Sequence, residues 1–247
     1  MGGLMHNSSG ARQTTNFLMW RVCAWGGPVF VVGFLIFWAI IAKFVPPPPQ
    51  YWSASDVFRF YMDRNLQIRV GMVGVLFFGP FYFVWSAVLS RIMRHMEGPD
   101  GVLSYVEILG GVCTTVITLG LGVAWLGASF RTGARTPQEV QLLNDLGWFY
   151  FDSTFMVTFL QLAAFGTSIL IDERRVPLFP RWLGWATYAT ASISLVIVLM
   201  PFFDHGPFAW QGLLTFWADM AAFFVWAIVT MYATFTAIGK LEKEAEG

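Results

Sequence analysis

Six apolar runs, at about 22–44, 69–90, 102–130, 147–171, 182–200 and 210–238, constrain this chain more than any other feature. A bilayer core about 30 Å thick asks for about 20 apolar residues in a helix that rises 1.5 Å per residue, and the runs have that length. Lipid offers no partner to a backbone N–H or C=O, so each run must satisfy its own backbone as a helix. Charged residues make up 12% of the chain, where a soluble domain carries roughly a quarter. That is too little charge to clothe a globular surface. The pattern predicts an all-α fold, a polytopic transmembrane helical bundle with six membrane-spanning helices over 22–239. A polar cytoplasmic segment, 1–21, precedes it and a charged cytoplasmic tail, 240–247, follows. Membrane lipid is then its first partner.

The links carry the punctuation. Val22 to Phe44 is too long for a signal-peptide core and lacks a small-residue cleavage site, so it is expected to be retained. His6 stands where a myristoylation start needs Ser or Thr, and Asn7-Ser8-Ser9 matches a glycosylation sequon. Pro46 to Pro49 stops the first run and forms a stiff spacer of about 12 Å. After it, Ser53 to Asp56 reads as an N-cap. Val57, Phe58, Tyr61 and Leu66 then share one face, and Asp56, Arg59, Asp63 and Arg64 the other. This is the signature of a short interfacial helix after helix one. Thr136-Pro137-Gln138-Glu139 is a second cap.

In the third run Gly120, Ala124 and Ala128 make one row of small residues and Thr114, Thr118 and Gly122 another. Small residues let helix backbones approach closely, which predicts a central place in the bundle and a surface able to dock partners. Six spans put both termini on one side. With the N-terminus inside, nine of the fifteen lysines and arginines fall on inner segments and six on outer ones. The excess predicts a multi-pass protein of the cytoplasmic (inner) membrane with both termini cytoplasmic.

Several functions lack their chemistry. Acidic and basic residues balance at fifteen each, so no basic stripe invites nucleic acid. His6, His95 and His205 fall in a tail, a helix end and a loop, and Cys23 and Cys113 stand alone, so no metal, haem or other cofactor is expected. No lysine occurs in the second to sixth runs before Lys240 to hold retinal, and neither a Walker loop nor a G-x-S-x-G elbow is present.

Acids inside the apolar runs are what remains. A carboxylate at mid-membrane costs roughly 2.5–3.5 kcal/mol on insertion scales, so it has a partner or a task. By helical rise Asp152 lies roughly 8 Å, and Asp219 roughly 13 Å, inside the outer starts of their runs. They are the candidate catalytic residues, and with Trp148, Arg69 and Gln161 the candidate lining of one outer-half pocket. Asp145, Trp148, Asp152, Phe155 and Phe159 recur at helical spacing on one face. Tyr82, Tyr150 and Trp217 are further aromatic walls, and Arg131 and His205 further cations. Glu107 enters its run from the inner side and is expected in a structural ion pair with Arg91 or Arg94, or with Arg181.

Three functions compete on this basis. The leading one is a non-catalytic membrane subunit or binding protein with a buried acidic pair. The alternatives are a membrane-embedded enzyme using a carboxyl as acid and base on a small apolar substrate, and a proton-coupled carrier. The partners these readings admit are a small apolar ligand, a second copy of the chain, or other membrane subunits. Against the carrier stand the lack of internal repeats, of broken helices at mid-membrane, and of a polar line through both leaflets.

Overall fold

The computed structural model describes residues 17–98 and 100–246; Pro99 and most of the polar segment 1–21, with its sequon, lie outside the described residues. The fold is an all-helical bundle. Its six long apolar helices are α1 (Phe17–Ile41), α3 (Asn65–Glu97), α4 (Leu103–Ser129), α5 (Pro137–Leu170), α6 (Arg181–Phe202) and α7 (Leu213–Glu246). The short α2 (Ala54–Asp63) lies between α1 and α3. Each long helix passes the length needed to cross a bilayer, as expected of a multi-pass membrane protein.

Both caps read from the sequence are formed. Ser53 Oγ accepts from the Asp56 N–H, and the Asp56 carboxylate accepts from the Ser53 N–H in return. Thr136 and Glu139 make the same reciprocal pair, with Pro137 in the first turn. Within α2 the buried residues are Val57, Phe60 and Tyr61; Phe58 is only half-buried, and Leu66 lies beyond the break at Arg64 and is exposed. The buried face thus takes Phe60 in place of Phe58, and the helix ends before Leu66 can join it.

The boundaries shift where polar residues find protein partners. The charged tail continues α7 to Glu246: Lys240 Nζ donates to the Pro177 and Leu178 carbonyls, and Arg21 bonds Glu242 at 2.5 Å. Helix α4 is central, packed against both halves of α3 and both halves of α5. Its small residues are used within the chain: a Cβ on Gly110 would fall 2.6 Å from Gln161 Cβ, and one on Gly122 would fall 3.0 Å from Leu76. Leu109, Val116 and Val123, seven residues apart, form its exposed outward stripe. This is the face that lipid would cover.

At the expected outer end an aromatic cluster fills the bundle. Trp148 stacks on Trp210 at 5.6 Å and meets Trp125 edge-on at 5.0 Å, while Phe44 lies 4.5 Å from Trp125. The proline tract is tied to the loop between α6 and α7, because Trp210 Nε1 donates to the Pro48 carbonyl at 2.7 Å.

Five of the six long helices lose regular α geometry along their length, α3 at Gly79 and Pro80 between its two halves. Helix α1 turns to π-helix over Leu35–Ile41, α7 begins as π-helix over Leu213–Ala218, and α6 tightens to a 3-10 helix over Leu195–Phe202. Helix α5 breaks at Ser153 and Thr154 between its segments Pro137–Asp152 and Phe155–Leu170. Broken helices, counted absent from the sequence, are therefore present. Irregular backbone inside a membrane is tolerated where protein or a cavity surrounds it.

Candidate functional site

A cavity of about 90 Å³ borders the break in α5, the start of the 3-10 turn of α6 and the end of the π segment of α7. Helix α4 lines it with Thr114, Ile117, Thr118 and Leu121, and the break in α5 brings Phe151, Thr154, Phe155 and Thr158 to it. Ser194 is the last α-helical residue of α6 before the 3-10 turn, and Asp219 the first of α7 after its π segment. The backbone irregularities thus present these two polar side chains to the same space. Ser194 Oγ donates to Asp219 Oδ1 at 2.5 Å. The remaining wall is mostly aromatic, with Phe30, Phe34, Phe223 and Phe224 completing it.

Asp152 and Asp219 are both buried, 1% and 5% exposed, so neither sits at a water boundary. Asp219 lines the cavity; Asp152 stands behind the wall, flanked by the lining residues Phe151 and Thr154. Its Oδ2 is buried with no hydrogen-bond partner among the described residues. The indole N–H groups of Trp38 and Trp148 are also unpartnered there, and both rings pack against Phe151 and Phe216.

The other expected members of the pocket are placed elsewhere. Trp148 belongs to the outer aromatic cluster. Arg69 is exposed and lines an apolar groove on the outside of α3 and α4 with Val73, Phe77 and Phe130. As a charged residue at the start of a span, it faces away from the bundle. Tyr150 and Trp217 are similarly turned outward, 39% and 45% exposed. Arg131 lies over the Phe130 ring, and His205 stacks on Tyr51 at 4.5 Å and bonds Asp204.

Gln161 is buried, but it is part of a second polar cluster, which contradicts the expected ion pair of Glu107. Arg94 bonds the Tyr105 hydroxyl, Arg91 lies over the Trp20 ring, and Arg181 reaches the Leu170 carbonyl. Glu107 instead points into the bundle, fully buried. Its Oε1 accepts from Ser86 Oγ at 2.7 Å and from Gln161 Nε2 at 3.2 Å. Gln161 Oε1 in turn accepts from the Tyr82 and Thr114 hydroxyls, each at 3.2 Å. The adjacent glycines explain the close approach: a Cβ on Gly111 would overlap Ser86 Oγ, as one on Gly110 would crowd Gln161. Comparison with protein-family models, curated proteins and solved structures finds no match for the chain.

The charge balance of the interior is the chemical fact that remains. Glu107, Asp152, Asp172 and Asp219 are buried, whereas the described residues include no buried lysine, arginine or histidine. Asp172 is served, just beyond the end of α5, by the N–H groups of Arg174 and Leu178. The other three have no counter-ion among the described residues. A carboxylate in an apolar bundle must be matched by a proton or another cation.

Proposed function

We propose that this is a non-catalytic binding protein of the cytoplasmic membrane, with both termini inside, whose cavity takes a small cation at Asp219. One observation carries the reading: a carboxyl held in place by Ser194 opens onto a cavity walled by six phenylalanines, with no basic side chain in the lining. Aromatic faces and a carboxylate together attract a cation and offer nothing to an anion. Size narrows the class further. An apolar cavity of about 150 Å³ accepts benzene, so about 90 Å³ accommodates three or four heavy atoms. Ammonium and methylammonium fit. The apolar substrates of a membrane enzyme ask for several hundred Å³, which disfavours the catalytic alternative.

The interrupted helices favour a second reading, in which the bound cation is carried across the membrane. Carriers place their sites at such breaks, where freed backbone and polar side chains converge.

The experiment is binding of labelled methylammonium to the protein in lipid nanodiscs, repeated with Asp219→Asn and with methanol as a neutral competitor. Saturable binding that methanol does not displace and that Asp219→Asn removes is the expected result. Absent binding, or binding undiminished in Asp219→Asn, overturns the reading.

A further inference from the structure

We infer that Glu107 is a second, separate proton-binding site, loaded from the inner ends of α3 and α4, with Gln161 as the positioning residue that divides it from the Asp219 cavity. Its Oε2 is buried and unpartnered among the described residues, while Oε1 is fixed by Ser86 and Gln161. One oxygen is therefore held and the other is available to carry a proton. The step is a simple protonation: a proton arriving from the inner aqueous side bonds Oε2 and turns carboxylate to carboxylic acid, and loss to the same side reverses it.

A row of polar groups leads inward from this site. Ser90 lies one turn from Ser86 on α3 and donates to the Ser104 carbonyl at 2.6 Å; Ser104 lies about one turn from Glu107 on α4, its own hydroxyl buried and unpartnered among the described residues. Glu97 closes the row at the helix ends, accepting from the Leu103 N–H at 2.9 Å through one oxygen. Its other oxygen is buried without a partner among the described residues. Hydroxyls and carboxyls can each accept one proton and release another, which suits them to such a row.

Toward the cavity the chain of contacts runs through Gln161 and then Thr114, which lines the cavity wall. An amide holds its N–H protons, so Gln161 orients Glu107 and keeps the two acid sites apart. Ser104 and Glu107 are three residues apart on α4, about 4.5 Å, and Thr114 on the cavity wall lies about 10 Å further along the same helix. Titration of Glu107 would be felt by few neighbours. Helix α5 presents the neutral Gln161, and α3 presents Ser86, Ser90 and Tyr82, whose hydroxyl donates to Gln161 Oε1. Arg91 and Arg94 on the same helix are engaged with Trp20 and Tyr105.

The test needs no ligand and so stands or fails apart from cation binding at Asp219. Infrared difference spectra of the protein in nanodiscs, recorded as pH is lowered, should show a protonated carboxyl C=O band that is lost in Glu107→Gln. In Ser86→Ala, which removes one small donor and keeps the packing, the same band should move to higher wavenumber. Spectra identical in wild type and Glu107→Gln overturn the proposal. So does a band unmoved in Ser86→Ala, which also decides the matter if Glu107→Gln fails to fold.

Discussion

Replacing Gln161 by Leu perturbs the interior with the least change of shape. The two side chains have similar volumes, so little cavity opens and the loss is mainly polar. Three hydrogen bonds disappear, to Glu107, Tyr82 and Thr114, each 3.2 Å long. Side-chain hydrogen bonds in membrane proteins average about 0.6 kcal/mol each and reach about 1.7, which gives about 2 kcal/mol here and an upper bound of about 5. Reversible unfolding in mixed micelles of rising SDS content, followed by tryptophan fluorescence, measures it. Thr236→Val is the control, since that hydroxyl bonds only the Tyr232 carbonyl of its own helix on an exposed face. The control should stay within about 0.5 kcal/mol. In a double-mutant cycle, Glu107→Leu and Gln161→Leu should be non-additive because they share one bond. A loss at Gln161→Leu no larger than the control's, with additive behaviour in the cycle, would refute the network.

Two further outcomes are expected outside the bundle. The Ser53 hydroxyl, then Arg59, hold the Asp56 carboxyl below its ordinary value of 3.8. Its support of α2 is therefore fully present above that value and fades as pH falls through the lowered one; hydrogen exchange of the α2 amides should accelerate only in that acid range, and in Ser53→Ala at neutral pH too. A single cysteine placed at His205 should react with an impermeant maleimide from the outside of intact cells, and one at Lys243 only after permeabilisation; the reverse pattern would invert the proposed orientation.

Length and hydropathy made the six spans legible, and Ser53 and Thr136 made the two capped starts legible, because these depend on local sequence alone. The burial of Asp152 and Asp219 also followed from depth along a single helix. Partner choice did not. Glu107 has arginines near it in sequence, yet Gly110 and Gly111 let Ser86 and Gln161 close in on it, a contact between three helices that no spacing in one helix reveals. Arg69 could reach either the bundle or the lipid, and packing turned it outward. Ser194 and Thr114 look like ordinary hydroxyls in apolar runs, their hydrogen bonds to backbone available in any helix. The pairs Thr114/Thr118 and Thr154/Thr158, four residues apart, were the one hint that a polar wall lay there. The π and 3-10 segments left no sequence mark except Pro201, since the residues within them are ordinary helix formers or β-branched filler.

The most direct measurement follows from the competition of a proton and a cation for one carboxyl. Methylammonium affinity, measured in nanodiscs across a series of pH values, should weaken steadily on acidification in the wild type and be absent throughout in Asp219→Asn. Affinity that holds constant as the pH falls would show that the cavity binds without its acid, and the role given to Asp219 would be wrong.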